Sequence, residues 1–151
     1  RIGWALAGPM PVVPEPMLRS VECLAQNLFI APPTLAQIAA EAAMDCTAEL
    51  NANVERYARN RTALLAGLPK FGIDTWAPAD GAFYIYADVS HLTNDSDRLC
   101  RDILSDAAVA LTPGIDFDAA RGRRYVRLSY AGSEADIADA LNRLAAWRSR
   151  T

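Results

Sequence analysis

The hydrophobic period of this chain changes near its middle, and that change limits the fold more than any other feature does. Between residues 49 and 68, apolar side chains recur at intervals of three and four, which predicts one amphipathic helix. Residues 83–89 instead alternate their side chains between two faces and are rich in aromatic and β-branched types, which is typical of a strand. A chain that contains both periods must bury the apolar stripe of its helices against a sheet.

The rest of the chain adds further strands and helices, separated by proline and glycine. In order we predict a strand at 1–7, a helix from Pro16 to about Phe29, a long helix or kinked pair over 34–68, a hairpin of FGIDTWAP with GAFYIYADV, a helix capped by Asn94 or Asp95, the short strand AVALT, a strand from Tyr125 to Ala131 and a final helix opened by Ser133. This order predicts an α/β fold, more narrowly an α+β small domain, with helices packed on a small mixed sheet.

Composition argues against several classes of protein. The chain has 151 residues, of which 52% are hydrophobic and 22% charged, so it can bury a real core. A net charge of −3 gives no basic field for nucleic acid. No stretch approaches the roughly 20 apolar residues that a membrane-spanning helix needs. Three cysteines without a CxxC pair indicate neither a disulfide framework nor a zinc site, so we expect a cytoplasmic protein.

The chain offers few groups for covalent or acid–base chemistry. Lys70 is the only lysine, and its position where a helix gives way to a strand predicts a side chain in water. His91 is the only histidine, and the sequence establishes no serine or cysteine arrangement around it, so a hydrolase triad is weakly supported. These residues alone indicate a soluble α/β domain, with no catalytic residue and no metal ligand.

Three segments of the chain resemble segments of the class I and II aminotransferases, which use pyridoxal phosphate. They are RIGW at 1–4, DGAFYIYADVS at 80–90 and LTPGIDFDAARGRRYVRLSYA at 111–131. The third is the most specific, because aminotransferases of this class carry P-G-x-x-F, a loop with glycine, and a strand of the form V/I-R-L/I-S/A-Y/F-A. The resemblance implies the carboxyl-terminal part of a fold type I pyridoxal-phosphate-dependent transferase, cut just after its Schiff-base lysine.

The resemblance gives roles to two arginines. Arg1 matches the arginine that holds the cofactor phosphate, and Arg127 matches the one that binds the α-carboxylate of the amino acid substrate. A guanidinium suits both tasks because it offers paired donors and a permanent charge. Strand alternation alone would make Arg127 an outward-facing surface arginine. Asp118 departs from the family, since many relatives have glycine after the phenylalanine, and this leaves the conformation of that loop open.

The same resemblance divides the chain and describes the whole protein. Residues 1–30 would be the last strand and helix of the large cofactor domain, and residues 31–151 the small domain with its long linking helix. No residue matches the Schiff-base lysine, so the isolated fragment is expected to be inactive. The full-length protein is expected to be a homodimer that moves an amino group from an amino acid to a 2-oxo acid. The carboxylate clamp does not indicate which amino acid is the substrate.

Three alternatives remain open at this point. The same fold also supports pyridoxal-phosphate-dependent lyases and synthases. A non-catalytic regulator could sense pyridoxal phosphate through such a domain while a fused domain binds DNA. The chain could finally be an inactive truncated remnant.

Overall fold

A computed structural model of the chain describes residues 14–150 and, within them, every side chain except that of Phe29. The chain divides into two compact units, with the boundary between Leu50 and Asn51. The strand predicted at 1–7 and the predicted phosphate ligand Arg1 lie outside the described residues. The predicted boundary between a large cofactor domain and a small domain, near residue 30, stays a prediction.

Helices form the described part of the first unit. The helix predicted from Pro16 is present, but its last turn is a π-helix, Ala25–Phe29, which follows the α-helix proper. Pro32 and Pro33 precede the next helix because proline can begin a helix but cannot continue one. The kinked pair predicted over 34–68 is confirmed. The helices are α1 (Glu15–Leu24), α2 (Thr34–Met44) and α3 (Thr47–Phe71), the last of which runs on into the second unit.

The second unit places helices on a three-stranded sheet. The strands are β1 (Tyr84–Asp88), β2 (Thr112–Pro113) and β3 (Tyr125–Ser129), and the further helices are α4 (Ser96–Ala107) and α5 (Glu134–Arg148). The strand order is β1-β3-β2, and both pairings are antiparallel. The α+β arrangement is as predicted, but the described sheet is antiparallel rather than mixed. The reason is that β3 lies between β1 and β2, so these two like-directed strands never pair.

Two strands are shorter than predicted. The first arm of the predicted hairpin contributes only a bridge between Trp76 and Ala87, because Pro78 follows at once and has no backbone N–H to extend the ladder. The segment AVALT pairs only through Thr112, together with the following Pro113. Ala108 ends α4 in the left-handed conformation, with φ of 54°, which is not a strand conformation, and residues 108–111 form no regular structure.

The alternation predicted for β3 is confirmed and orients the candidate site. Val126 and Leu128 are buried in the core, whereas Tyr125 and Arg127 are half-buried on the opposite face. Helices α3, α4 and α5 cover the core face. The core is formed by apolar side chains of the second unit, among them Leu64, Leu68, Phe71, Ile73, Ile85, Ala87, Val89, Ile103, Val126, Leu128, Leu144 and Trp147.

The predicted caps of α4 and α5 are in place. Asp95 accepts a hydrogen bond from the Arg98 N–H at 3.2 Å, and the Ser133 hydroxyl accepts one from the Asp136 N–H at 3.1 Å. Each cap satisfies a donor that the first turn of the helix leaves unpaired. Among residues 14–150, no helix is long and apolar enough to cross a membrane.

Asn60 joins α3 to the end of β3, and its loss should be costly. The side chain is 1% exposed, and its amide donates to the carbonyls of Tyr130 at 3.0 Å and Gly132 at 2.9 Å. We expect Asn60→Ala to lower the free energy of unfolding by about 2–3 kcal/mol, because it leaves two carbonyls unsatisfied. Urea unfolding of the intact protein measures this. Asn51→Ala, on an exposed position of the same helix, is the control and should change little.

Candidate functional site

A cavity of about 460 Å³ opens on the face of the sheet that is opposite the core. Its walls come from four segments of the chain, namely the connector before β1, the strand β1, the loop after β2 and the strand β3. Most of the wall is apolar or aromatic, and one arginine and one aspartate lie among these groups. The lining residues include Ala77, Pro78, Ala82, Tyr84, Tyr86, Phe117, Asp118 and Arg127.

Arg127 occupies the middle of the sheet, since it pairs with Tyr86 in β1 and with Thr112 in β2. Its guanidinium carbon lies 4.5 Å from the centre of the Phe117 ring and 5.2 Å from the centre of the Tyr84 ring. Both distances are within the range of a cation–π interaction. The charge of Arg127 is therefore held against two aromatic rings.

The guanidinium of Arg127 differs from those of other arginines in the same unit in its hydrogen-bond partners. Arg101 and Arg143 each pair with an aspartate one helical turn away, at 2.8 and 2.7 Å. Within residues 14–150, no carboxylate or other acceptor pairs with the guanidinium of Arg127. A half-buried cation of this kind, with five donors and no internal acceptor, is suited to binding a carboxylate.

The loop from Gly114 to Gly122 carries Phe117 and Asp118 to the cavity. Its two ends touch backbone to backbone, because a Cβ added at Gly122 would lie 2.3 Å from the carbonyl carbon of Gly114. The buried Ser96 hydroxyl donates to the Gly122 carbonyl at 2.9 Å, which ties this loop to α4. Sequence reasoning missed the contact, although the proline–glycine pair and the second glycine eight positions later were its visible signal.

Asp118, at which the sequence left the conformation of the loop open, organises the turn inside this loop. Its carboxylate accepts hydrogen bonds from the N–H groups of Ala120 and Arg121, both at 3.0 Å, and from the Arg121 side chain at 3.1 Å. The backbone N–H of Arg121 is the main reason that the pKa of Asp118 is lowered from its usual value. The aspartate thus makes this turn through its own side chain.

The order of this loop should depend on pH through Asp118. A folded-state pKa below the unfolded value means that the carboxylate stabilises the loop above the unfolded pKa, and that this stabilisation is lost as pH falls through the folded pKa. We expect the backbone amides of Ala120 and Arg121 to lose protection from hydrogen exchange over that acidic range. Asp118→Asn should remove the pH dependence, whereas the exposed Asp116→Asn should keep it. A pH profile that is the same in Asp118→Asn as in the unmodified protein would contradict this.

Tyr86 lines the cavity and packs against Tyr125, the first residue of β3. The rings of Tyr86 and Tyr125 are stacked, with centres 4.9 Å apart and planes 7° from parallel. The Tyr86 hydroxyl is buried against the Gly114 backbone and has no hydrogen-bond partner in the described part of the chain, and burial raises its pKa. This tyrosine is therefore a neutral wall residue at physiological pH.

The structure places the other sequence candidates away from this cavity. Lys70 is exposed, as predicted, and lines a separate groove between α3 and α5 with Gly67 and Leu141. His91 hydrogen-bonds the Gly72 carbonyl through its Nε2 atom. Arg1 lies outside the described residues. Within residues 14–150, no group of three His, Cys, Asp or Glu side chains could hold a metal ion.

Known proteins match this chain along almost its whole length. The family described as aminotransferase class I and II matches residues 1–144. The valine–pyruvate aminotransferase of Mycobacterium tuberculosis is 50% identical over 149 residues, which are 97% of this chain and 37% of that protein. The aspartate/prephenate aminotransferase of Thermus thermophilus is 36% identical over 149 residues, which are 96% of this chain and 36% of that protein.

A solved structure agrees with these sequence matches. The crystal structure of an aminotransferase from Mycobacterium tuberculosis is similar to this chain with a TM-score of 0.82 and 50% identity, over 92% of this chain and 36% of that one. The chain therefore belongs to the class I and II aminotransferase family. It spans a little over a third of the length of the relatives it matches.

Proposed function

We propose that the chain is the carboxyl-terminal, substrate-clamping part of an aminotransferase that moves an amino group from an amino acid to a 2-oxo acid. One observation carries this proposal. Arg127 lies in an apolar cavity, against two aromatic rings, and its donors have no acceptor among the described residues. Membership of the aminotransferase family indicates which anion this arginine would bind, namely the α-carboxylate of the amino acid.

The clamp would act by position as well as by charge. A guanidinium can donate two parallel hydrogen bonds to one carboxylate, which fixes the orientation of the carboxylate together with its distance. The Cα–H bond of the substrate is then held in one direction for proton removal. Tyr84, Tyr86 and Phe117 place apolar ring surface beside the guanidinium, which lowers the local dielectric and strengthens the ion pair.

Pyridoxal phosphate is the cofactor that this proposal requires, and it supplies an electron sink for the bonds at the substrate Cα. The chemistry of Arg1 fits its phosphate, since a guanidinium pairs well with a phosphate dianion. Lys70 does not fit as the lysine that binds the cofactor, because it is exposed and lines a groove other than the cavity of Arg127. We therefore place that lysine, and catalysis with it, in a segment that precedes Arg1.

The cavity favours a substrate with an apolar side chain. Ala77, Pro78 and Ala82 form much of the wall, and Arg127 is the one cation among the described residues that line it. A second carboxylate on the substrate would meet no positive partner there. The relative that is 50% identical is a valine–pyruvate aminotransferase, which supports a short aliphatic amino acid with a 2-oxo acid acceptor.

We also propose that the full-length protein is a cytoplasmic homodimer. Support comes from the first unit, where the described side chains of α1 and α2 include apolar groups that stay exposed, such as Val21 at 51% and Leu35 at 81%. Several exposed apolar side chains on neighbouring helices indicate a surface that is buried against other protein. We expect the rest of the full-length chain and a second subunit to bury it.

The reading frame upstream of Arg1 tests this proposal most simply. We expect a Ser-x-x-Lys or Ser-Lys segment a few residues before RIGW, with the cofactor-binding residues of an aminotransferase further upstream. A frame without that lysine would contradict the proposal and favour an inactive remnant. A winged-helix segment upstream would instead indicate a regulator. The named relatives favour the transaminase over both of these and over a lyase.

A further inference from the structure

We propose that Phe117 is a positioning residue for Arg127, holding the guanidinium in its carboxylate-binding orientation before substrate arrives. This inference rests on the proposed function, since it concerns the same cavity and the same anion. It concerns a residue that touches the clamp and acts through it. Its starting point is the 4.5 Å distance between the guanidinium carbon and the centre of the Phe117 ring.

Phe117 contributes little to the hydrophobic core of the second unit. Its side chain is 55% exposed, and it does not belong to the core cluster of the second unit. A phenylalanine ring left half in water stabilises a fold only weakly, because most of its apolar surface is not removed from solvent. Within residues 14–150, this ring contacts the guanidinium of Arg127, and both side chains line the cavity.

The backbone beneath Phe117 is rigid enough to orient the ring. Its N–H donates to the Gly114 carbonyl at 2.9 Å, and the next residue, Asp118, accepts two backbone N–H groups of the following turn. The close contact between Gly114 and Gly122 fixes both ends of the same loop. The ring is therefore presented from a short, closed loop, while Tyr84 contacts the guanidinium from β1.

Orientation before binding matters for an arginine in particular. A free arginine side chain samples many rotamers, and a bidentate ion pair with a carboxylate must remove that freedom. A ring that already holds the guanidinium through a cation–π contact reduces this cost before the substrate enters. Leucine in place of Phe117 keeps much of the apolar volume but loses the negative ring face, so it separates positioning from simple packing.

The experiment compares two inhibitors of the full-length, cofactor-loaded enzyme. The probes are 3-methylbutanoate, which carries a carboxylate, and 3-methylbutanamide, which has a similar shape and no charge. We expect Phe117→Leu to raise the inhibition constant of the carboxylate by about fivefold. The constant of the amide and the absorbance of the bound cofactor should not change. Phe117→Tyr, which keeps the ring, should restore the carboxylate constant to that of the unmodified enzyme.

Phe83→Leu is the matched control, because Phe83 is similarly exposed, at 46%, and its ring packs against Tyr84. The rings beside the guanidinium of Arg127 are those of Tyr84 and Phe117. An equal effect of Phe83→Leu, or an equal effect of Phe117→Leu on the amide, would overturn the positioning role. Arg127→Ala separates the two proposals. If it leaves the carboxylate constant unchanged, both fail. If it weakens carboxylate binding while Phe117→Leu does not, the clamp stands and the positioning role of Phe117 is wrong.

Discussion

Replacing Arg127 with alanine in the full-length protein should raise the KM for the amino acid by about two orders of magnitude. The substitution removes two charge-assisted hydrogen bonds to the carboxylate, each worth about 1.5 kcal/mol at the lower end of the usual range, and about 3 kcal/mol in total corresponds to about a hundredfold. The cofactor absorbance should stay intact, because the described contacts of Arg127 are with the cavity walls Tyr84 and Phe117. Steady-state kinetics together with the visible spectrum of each variant measure both effects.

Two variants control for charge and for position. Arg127→Lys keeps a cation but loses the planar fork, so we expect a smaller rise in KM, of about tenfold. Arg123→Ala removes an exposed arginine from the helical turn that leads into β3 and should leave KM unchanged. Loss of bound cofactor in step with the rise in KM would contradict the assignment of Arg127. So would an equal rise in KM for Arg123→Ala.

Gly122→Ala should lower the free energy of unfolding by about 3 kcal/mol, at the upper end of the usual cost of overpacking. The new Cβ would lie 2.3 Å from the Gly114 carbonyl carbon and oxygen and 2.5 Å from the Ile115 nitrogen. All three atoms are backbone, so no side-chain rotation can relieve the clash. The loop must open instead, and it carries Phe117 and Asp118 away from the cavity as it does so.

Gly81→Ala is the matched control for this substitution. It makes the same chemical change in a connector beside the same cavity, but a Cβ at Gly81 would meet no atom within 4 Å. Urea unfolding should therefore separate the two variants clearly. The KM for the amino acid should also rise in Gly122→Ala and stay constant in Gly81→Ala. Equal stability of the two variants would show that the loop ends are not in close contact.

Local features of this fold were predictable from the sequence, and long-range pairing was not. The α3 helix, the caps at Asp95 and Ser133 and the two faces of β3 follow from period and from capping residues, which act within a few positions. The position of β3 between β1 and β2 depends on contacts tens of residues apart. Sequence periodicity does not reach that far, so the sequence predicts a mixed sheet and a hairpin of FGIDTWAP with GAFYIYADV, where the structure has an antiparallel sheet and a single bridge.

The candidate site divides in the same way. Strand alternation put Arg127 on the face opposite the core, and the family resemblance gave it a role that alternation alone could not. Neither indicated that Tyr84 and Phe117, from two other segments, would contact its guanidinium. The hydrogen bonds that the Asp118 carboxylate accepts within its own turn were also not predictable, because hydrophobic periodicity carries no information about them.

A single-turnover reaction of the full-length holoenzyme tests the central claim most directly. The enzyme is mixed with a short aliphatic amino acid and no acceptor, and the products are counted. We expect one equivalent of the matching 2-oxo acid per active site, with the amino group retained until a second 2-oxo acid is added. Continuous release of ammonia or carbon dioxide, or no 2-oxo acid at all, would contradict the proposal that this chain belongs to a working aminotransferase.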